Sequence, residues 1–104
     1  MARKGYWIAL VDVHDPERYK AYIAASAEAF RKYGGRFLVR GGEREIPEGK
    51  ARSRTVVIEF KDYATALACY RSPEYARALA LRTPVSDGDF IIVEGYDGPQ
   101  PSDG

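Results

Sequence analysis

Two proline-led caps govern what this chain can become. Asp15-Pro16-Glu17 and Ser72-Pro73-Glu74 each set a side-chain oxygen, a proline and an acid in the order that opens a helix. The oxygen accepts from backbone N–H groups that lack helical partners. Proline gives up a donor the first turn does not need, and the acid faces the positive end of the helix dipole. After the first cap, Tyr19, Tyr22, Ile23, Ala27, Phe30 and Tyr33 recur at spacings of three and four, with Lys20, Glu28, Arg31 and Lys32 on the remaining surface. This pattern predicts an amphipathic helix stopped by Gly34-Gly35. Asp62 caps a second helical run to about Tyr70, and Ser72 restarts it to about Arg82.

Between the helices the pattern changes from a period near 3.6 to a period of two. Residues 5–13, GYWIALVDV, are too short for a stable helix and rich in aromatic and β-branched types, so they read as a strand. RFLVR begins a second strand at Arg36 and meets Gly41-Gly42, where a bulge or close backbone approach is expected. A loop over 46–52 leads into TVVIEF, and DFIIVEG follows the Thr83-Pro84 break. The order β-α-β-β-α-β, with short right-handed connections, predicts an α+β, ferredoxin-like fold. It has one four-stranded antiparallel sheet with both helical segments on one face. Residues 1–96 are expected to form this single domain, with 97–104 a flexible polar tail.

Strand alternation sorts the side chains by face. One set is Trp7, Ala9, Val11, Val13, Phe37, Val39, Val56, Ile58, Phe60, Ile91 and Val93, without a charge, and is assigned to the helix-covered core. The other set is Tyr6, Ile8, Leu10, Asp12, Leu38, Arg40, Thr55, Val57, Glu59, Phe90, Ile92 and Glu94, with one ionised residue per strand. So much apolar surface exceeds what soluble monomers usually expose, which predicts a homodimer with sheets packed face to face. If strands 38–45 and 54–60 pair with faces matched, Arg40 lies near Glu59. The two are then an ion pair fixing interface register, or part of a ligand site.

Composition closes several other routes. The 104 residues are 45% hydrophobic, enough for one modest core, and 16 basic residues nearly cancel 15 acidic ones. No general electrostatic drive toward nucleic acid or an anionic membrane follows. A single cysteine, Cys69, excludes an intramolecular disulfide, and one histidine, His14, leaves little for a metal cluster. The apolar run after the basic start is cut by Asp12 without a cleavage site, and no segment reaches the roughly 18 to 20 apolar residues that span a bilayer. A cytoplasmic protein is expected. No phosphate loop, dinucleotide fingerprint or Ser–His–Asp order is present, so no cofactor is implied.

The stretches KGYWI, DPERYKAYI, FLVRGGE, VVIEF, SPEYARALALR and VEG together carry a resemblance over about Lys4 to Gly95. The chain resembles the bacterial family called the domain of unknown function numbered 1330, whose members look like dimeric α/β barrels. The resemblance implies a fold and a dimer rather than a reaction. Similar barrels include small monooxygenases and isomerases that use the cleft between sheet and helices, an analogy at the level of fold.

Candidate site residues follow from the second cap. Tyr75, Leu79 and Arg82 fall on one stripe, where a phenol and a planar guanidinium could hold a small carboxylate. The alternative is that Arg82 complements the helix C-terminus and Tyr75 is core. His14 is either an acid–base group or a surface residue beside the cap, and Cys69, among helical alanines, reads as a buried inert thiol. The expected ligand site comprises Tyr22, Arg40, Glu59, Ser72, Tyr75 and Arg82, holding a small anionic or aromatic molecule. Two alternatives stand beside it: a non-catalytic assembly protein that uses the sheet face for dimerisation, or a cofactor-independent enzyme like the small monooxygenases and isomerases.

Overall fold

The caps form as their chemistry dictates. In the computed structural model, which describes residues 3–103, the Asp15 carboxylate accepts from the Arg18 amide at 3.2 Å and Asp62 from the Thr65 amide at 2.7 Å. The Ser72 hydroxyl accepts from the Tyr75 amide at 3.1 Å and donates to the Cys69 carbonyl at 2.7 Å, joining the second helix to the third. The elements in order are β1 (Gly5–Val13), α1 (Pro16–Tyr33), β2 (Arg36–Arg40), β3 (Arg54–Phe60), α2 (Tyr63–Tyr70), α3 (Pro73–Arg82) and β4 (Ser86–Glu94). Single 3-10 turns lie at Thr83–Val85 and Pro101–Asp103. Gly34 ends α1 in the left-handed region at φ 71°, a conformation that glycine adopts without steric cost.

The strands form one antiparallel sheet in the order β2-β3-β1-β4, the ferredoxin-like arrangement expected from the element order. Helices cover one face. Trp7 is the centre of the core: its indole Nε1 donates to the Ala66 carbonyl at 2.8 Å, and the Tyr75 ring packs edge-on at 4.9 Å and the Phe30 ring at 5.2 Å. Gly5 permits a close approach, since a Cβ there would stand 2.4 Å from the Asp62 carbonyl oxygen. Among the described residues, no helix is long and apolar enough to cross a membrane. Most of residues 97–103 are exposed, and Gly104 lies outside the described residues.

Two face assignments are corrected. In β4, Phe90 pairs with Ala9 and Ile92 with Trp7, so Phe90 and Ile92 belong to the core face, while Ile91 and Val93 lie on the open face, 52% and 40% exposed. All four of these residues are apolar, so alternation alone could not choose between them; the register with β1 does. In β2, Phe37 pairs with Ile58 but Val39 pairs with Val57, because Leu38 is an extra, unpaired residue at a bulge. A bulge reverses the face of everything beyond it. Val39 therefore lies on the open face and Arg40, opposite Val56, on the helix side. The expected Arg40–Glu59 neighbourhood does not exist: Glu59 is opposite Arg36 and Tyr6.

Candidate functional site

On the helix side the sheet presents three rows of paired residues. Phe37, Ile58, Trp7 and Ile92 form the first, Arg40, Val56, Ala9 and Phe90 the second, and Arg54, Val11 and Gly88 the third. Ala9 and Gly88 are too small to fill the space above them. A cleft opens there, roofed by Tyr19, Tyr22, Ile23, Ser26 and Phe30 of α1. Its empty space is about 430 Å³ including the open mouth, but the centre of a water molecule reaches only about 40 Å³ of it. Occupants are thus limited to small, thin molecules.

The polar groups at the cleft are dominated by arginine. Arg40 and Arg54 line it, and Arg40 stacks its guanidinium 4.2 Å from the Phe37 ring centroid. Arg82 lies behind the wall, 4.1 Å from the Phe90 centroid and 5.8 Å from that of Tyr22. It is only 7% exposed, and its Nε has no hydrogen-bond partner. Bare backbone at Gly88 admits it, for a Cβ there would stand 3.3 Å from the guanidinium and 2.8 Å from the Phe90 ring. Among the described residues none of the three arginines forms an ion pair, and no acid lines the cleft. A buried, unpaired cation is costly, so this wall is electrostatically incomplete as it stands.

The tyrosines respond to that field. Burial pushes the Tyr19 phenol up, opposed by the charges of Arg54, Arg82 and Arg40. Tyr22 and Tyr75 share a buried hydrogen bond of 2.8 Å between their hydroxyls. Burial raises Tyr22 far above its ordinary value, with the neighbouring Tyr75 adding to the effect. It also raises Tyr75, opposed by the Tyr22 hydrogen bond and by Arg82. Both phenols are neutral at physiological pH.

The six sequence-derived candidates divide by place. Tyr22 and Arg40 line the cleft; Tyr75 and Arg82 stand directly behind Tyr22. Ser72 is engaged in capping α3, and Glu59 is on the other face of the sheet, 3.4 Å from the Tyr6 hydroxyl. Arg54, Tyr19 and Phe90 were missed. Arg54 was legible, because it shares strand parity with Val56 and Ile58. Tyr19 stands three residues before Tyr22 on the same helical stripe. Cys69 is fully buried with its thiol pushed up to about 12 by burial, while His14 is exposed and pairs with Asp87 at 2.7 Å. Among the described residues no group of three or more His, Cys, Asp or Glu side chains could hold a metal ion.

On the open face, Tyr6, Ile8, Leu10, Val39, Val57, Ile91 and Val93 form an apolar field. It is bordered by Arg52, which bridges Asp12 and Asp89 at 2.9 Å each.

The family described as Domain of unknown function (DUF1330) matches residues 4–96. No curated protein matches. Among solved structures, a protein of unknown function from Rhodopseudomonas palustris is 18% identical with a TM-score of 0.73, over 94% of this chain and 86% of that one. SnoaB, a cofactor-independent oxygenase from Streptomyces nogalater, is 16% identical with a TM-score of 0.62, over 96% of this chain and 99% of that one. A dimeric ferredoxin-like protein of unknown function from Thermobifida fusca is 17% identical with a TM-score of 0.61, over 90% and 92% of the two chains. At these identities the likeness is one of fold.

Proposed function

The chain belongs to the family described as Domain of unknown function (DUF1330), and from that premise and the arginine-lined cleft we propose that the protein binds a small organic anion with an apolar or aromatic body. The observation that carries this reading is the buried, unpaired guanidinium of Arg82 behind a cleft that already presents Arg40 and Arg54 and no acid. An anion offsets the desolvated charge, and the aromatic walls accept its body. Calorimetric titration with benzoate and with its neutral relative benzamide tests the proposal. Benzoate is expected to bind more tightly, and Arg54→Leu to weaken it roughly tenfold or more, since a charge-assisted hydrogen bond is worth about 1.5–3 kcal/mol. Equal binding of the two compounds, or none, overturns the reading.

The open sheet face supports a second element of the proposal, that the working form is a homodimer. Its apolar field is unpartnered by this chain's own helices, and the Thermobifida neighbour is described as dimeric. A second copy brings an equivalent apolar field to the contact. Catalysis at the same cleft is the reading that the description of the Streptomyces neighbour favours, and turnover of a bound ligand under air would distinguish it from binding alone.

A further inference from the structure

We propose that the cleft selects weak organic acids in their ionised form, phenolates and enolates, and so increases the acidity of a phenol or enol that enters it. This rests on the cleft being an anion site and adds the chemical class of the anion. The positive charge here is not gathered into one fork, as a carboxylate favours. Arg40 and Arg54 are cross-strand neighbours of Val56 and Val11 on one side of the floor, and Arg82 lies over Gly88 on the other. Charge distributed around a flat floor of Ala9 and Val11 suits an anion whose own charge is delocalised over a ring or a conjugated system.

The walls agree with this. Trp7, Phe30, Phe37 and Phe90 present aromatic surface to the cleft, and its thinness favours a planar occupant. The groups facing that occupant are Tyr19 and Tyr22 from α1, Arg40 from β2 and Arg54 from β3, with Arg82 and Tyr75 of α3 behind them. The cleft-lining residues of β1 and β4 carry no ionisable side chain. Three cations therefore act without an acid to cancel them, in surroundings of low polarity where charge interactions are strengthened. Tyr19 shows the field acting on a phenol: the same three arginines favour its ionised form, although its burial outweighs them.

The chemical step is an ionisation. The O–H bond of the phenol or enol breaks, its electron pair stays on oxygen, and the proton leaves through the open mouth to solvent. No His, Asp or Glu lines the cleft to accept it, so the effect is a shifted equilibrium. A substrate held this way is electron-rich at the carbons conjugated to the oxygen, which is the form that reacts with electrophiles.

The test uses 4-nitrophenol, whose neutral and ionised forms absorb at different wavelengths, titrated from acid to alkali with the whole protein in excess. The bound phenol is expected to ionise about 1 to 3 pH units below the free compound, the range an opposite charge nearby produces. Arg82→Leu should reduce the shift, as should Arg54→Leu at its half-buried and more tolerant position. Lys20→Gln, which removes an equal charge from the exposed surface of α1, should leave it intact. Circular dichroism confirms that each variant is folded. If benzoate binds in the cleft but bound 4-nitrophenol ionises at its free value or above, this inference is overturned while the anion site stands. If neither compound binds, both fall. A shift lost equally in Lys20→Gln also overturns it, because the cause would then be net charge.

Discussion

Removing either hydroxyl of the Tyr22–Tyr75 pair should destabilise the protein, and removing both should restore much of what is lost. The two oxygens are 2.8 Å apart, on residues that are 7% and 0% exposed. Tyr75→Phe leaves the Tyr22 hydroxyl buried without its partner, at a cost of about 1–3 kcal/mol. It also leaves Arg82 without the phenol whose ionisation its charge influences. Tyr22→Phe is the milder change, because the Tyr75 hydroxyl keeps Arg82 as a neighbour. The double variant replaces both partners by apolar groups of the same shape, which is nearly neutral in the favourable case. The coupling energy across the cycle is therefore expected at about 1–3 kcal/mol. Urea denaturation at fixed protein concentration measures it, and the denaturant slope should stay constant if only the native state has changed. In a domain this small, each kcal/mol moves Tm by about 4–8 °C, so the ranking is also visible by melting. Additive single effects, with the double variant the least stable of the three, would refute the reasoning.

Val57→Asp places a carboxylate on the open face, between Ile8 and Val39 and on the same face as Glu59, where dimerisation would desolvate it. Sedimentation should show the native protein as a dimer of 11.6 kDa chains and the variant shifted toward monomer; a native monomer at micromolar concentration defeats the dimer proposal. Hydrogen bonding from the Ser53 amide, helped by Arg52, holds the Asp12 carboxyl below its ordinary value of 3.8. A depressed folded pKa contributes stability that is present above the ordinary value and lost as pH falls through the depressed one. Asp12→Asn should therefore flatten the acid limb of a melting-temperature profile below about pH 4, and an unchanged limb counts against that tether.

The local elements of this protein were legible because their causes are local. Asp15, Asp62 and Ser72 act on amides three residues away, and the stripe through Tyr19, Tyr22 and Phe30 is a property of one helix. In β1 and β3 strict alternation identified the buried faces, since Trp7, Ala9 and Val11 alternate with less buried residues. The element order then narrowed the fold to the ferredoxin-like arrangement. What tertiary structure alone decided is where neighbouring strands set the register. Phe90 through Val93 are apolar on both parities, so only pairing with Ala9 and Trp7 turns Phe90 and Ile92 inward. The bulge at Leu38 carries Arg40 from the open face to the cleft, and nothing in RFLVR itself requires it. Arg40, Arg54 and Arg82 belong to different elements and meet because the sheet order brings β2, β3 and β4 around one floor. Hydrophobic periodicity reports the two sides of a single element; the gathering of three charges depends on which elements become neighbours, a consequence of long-range packing.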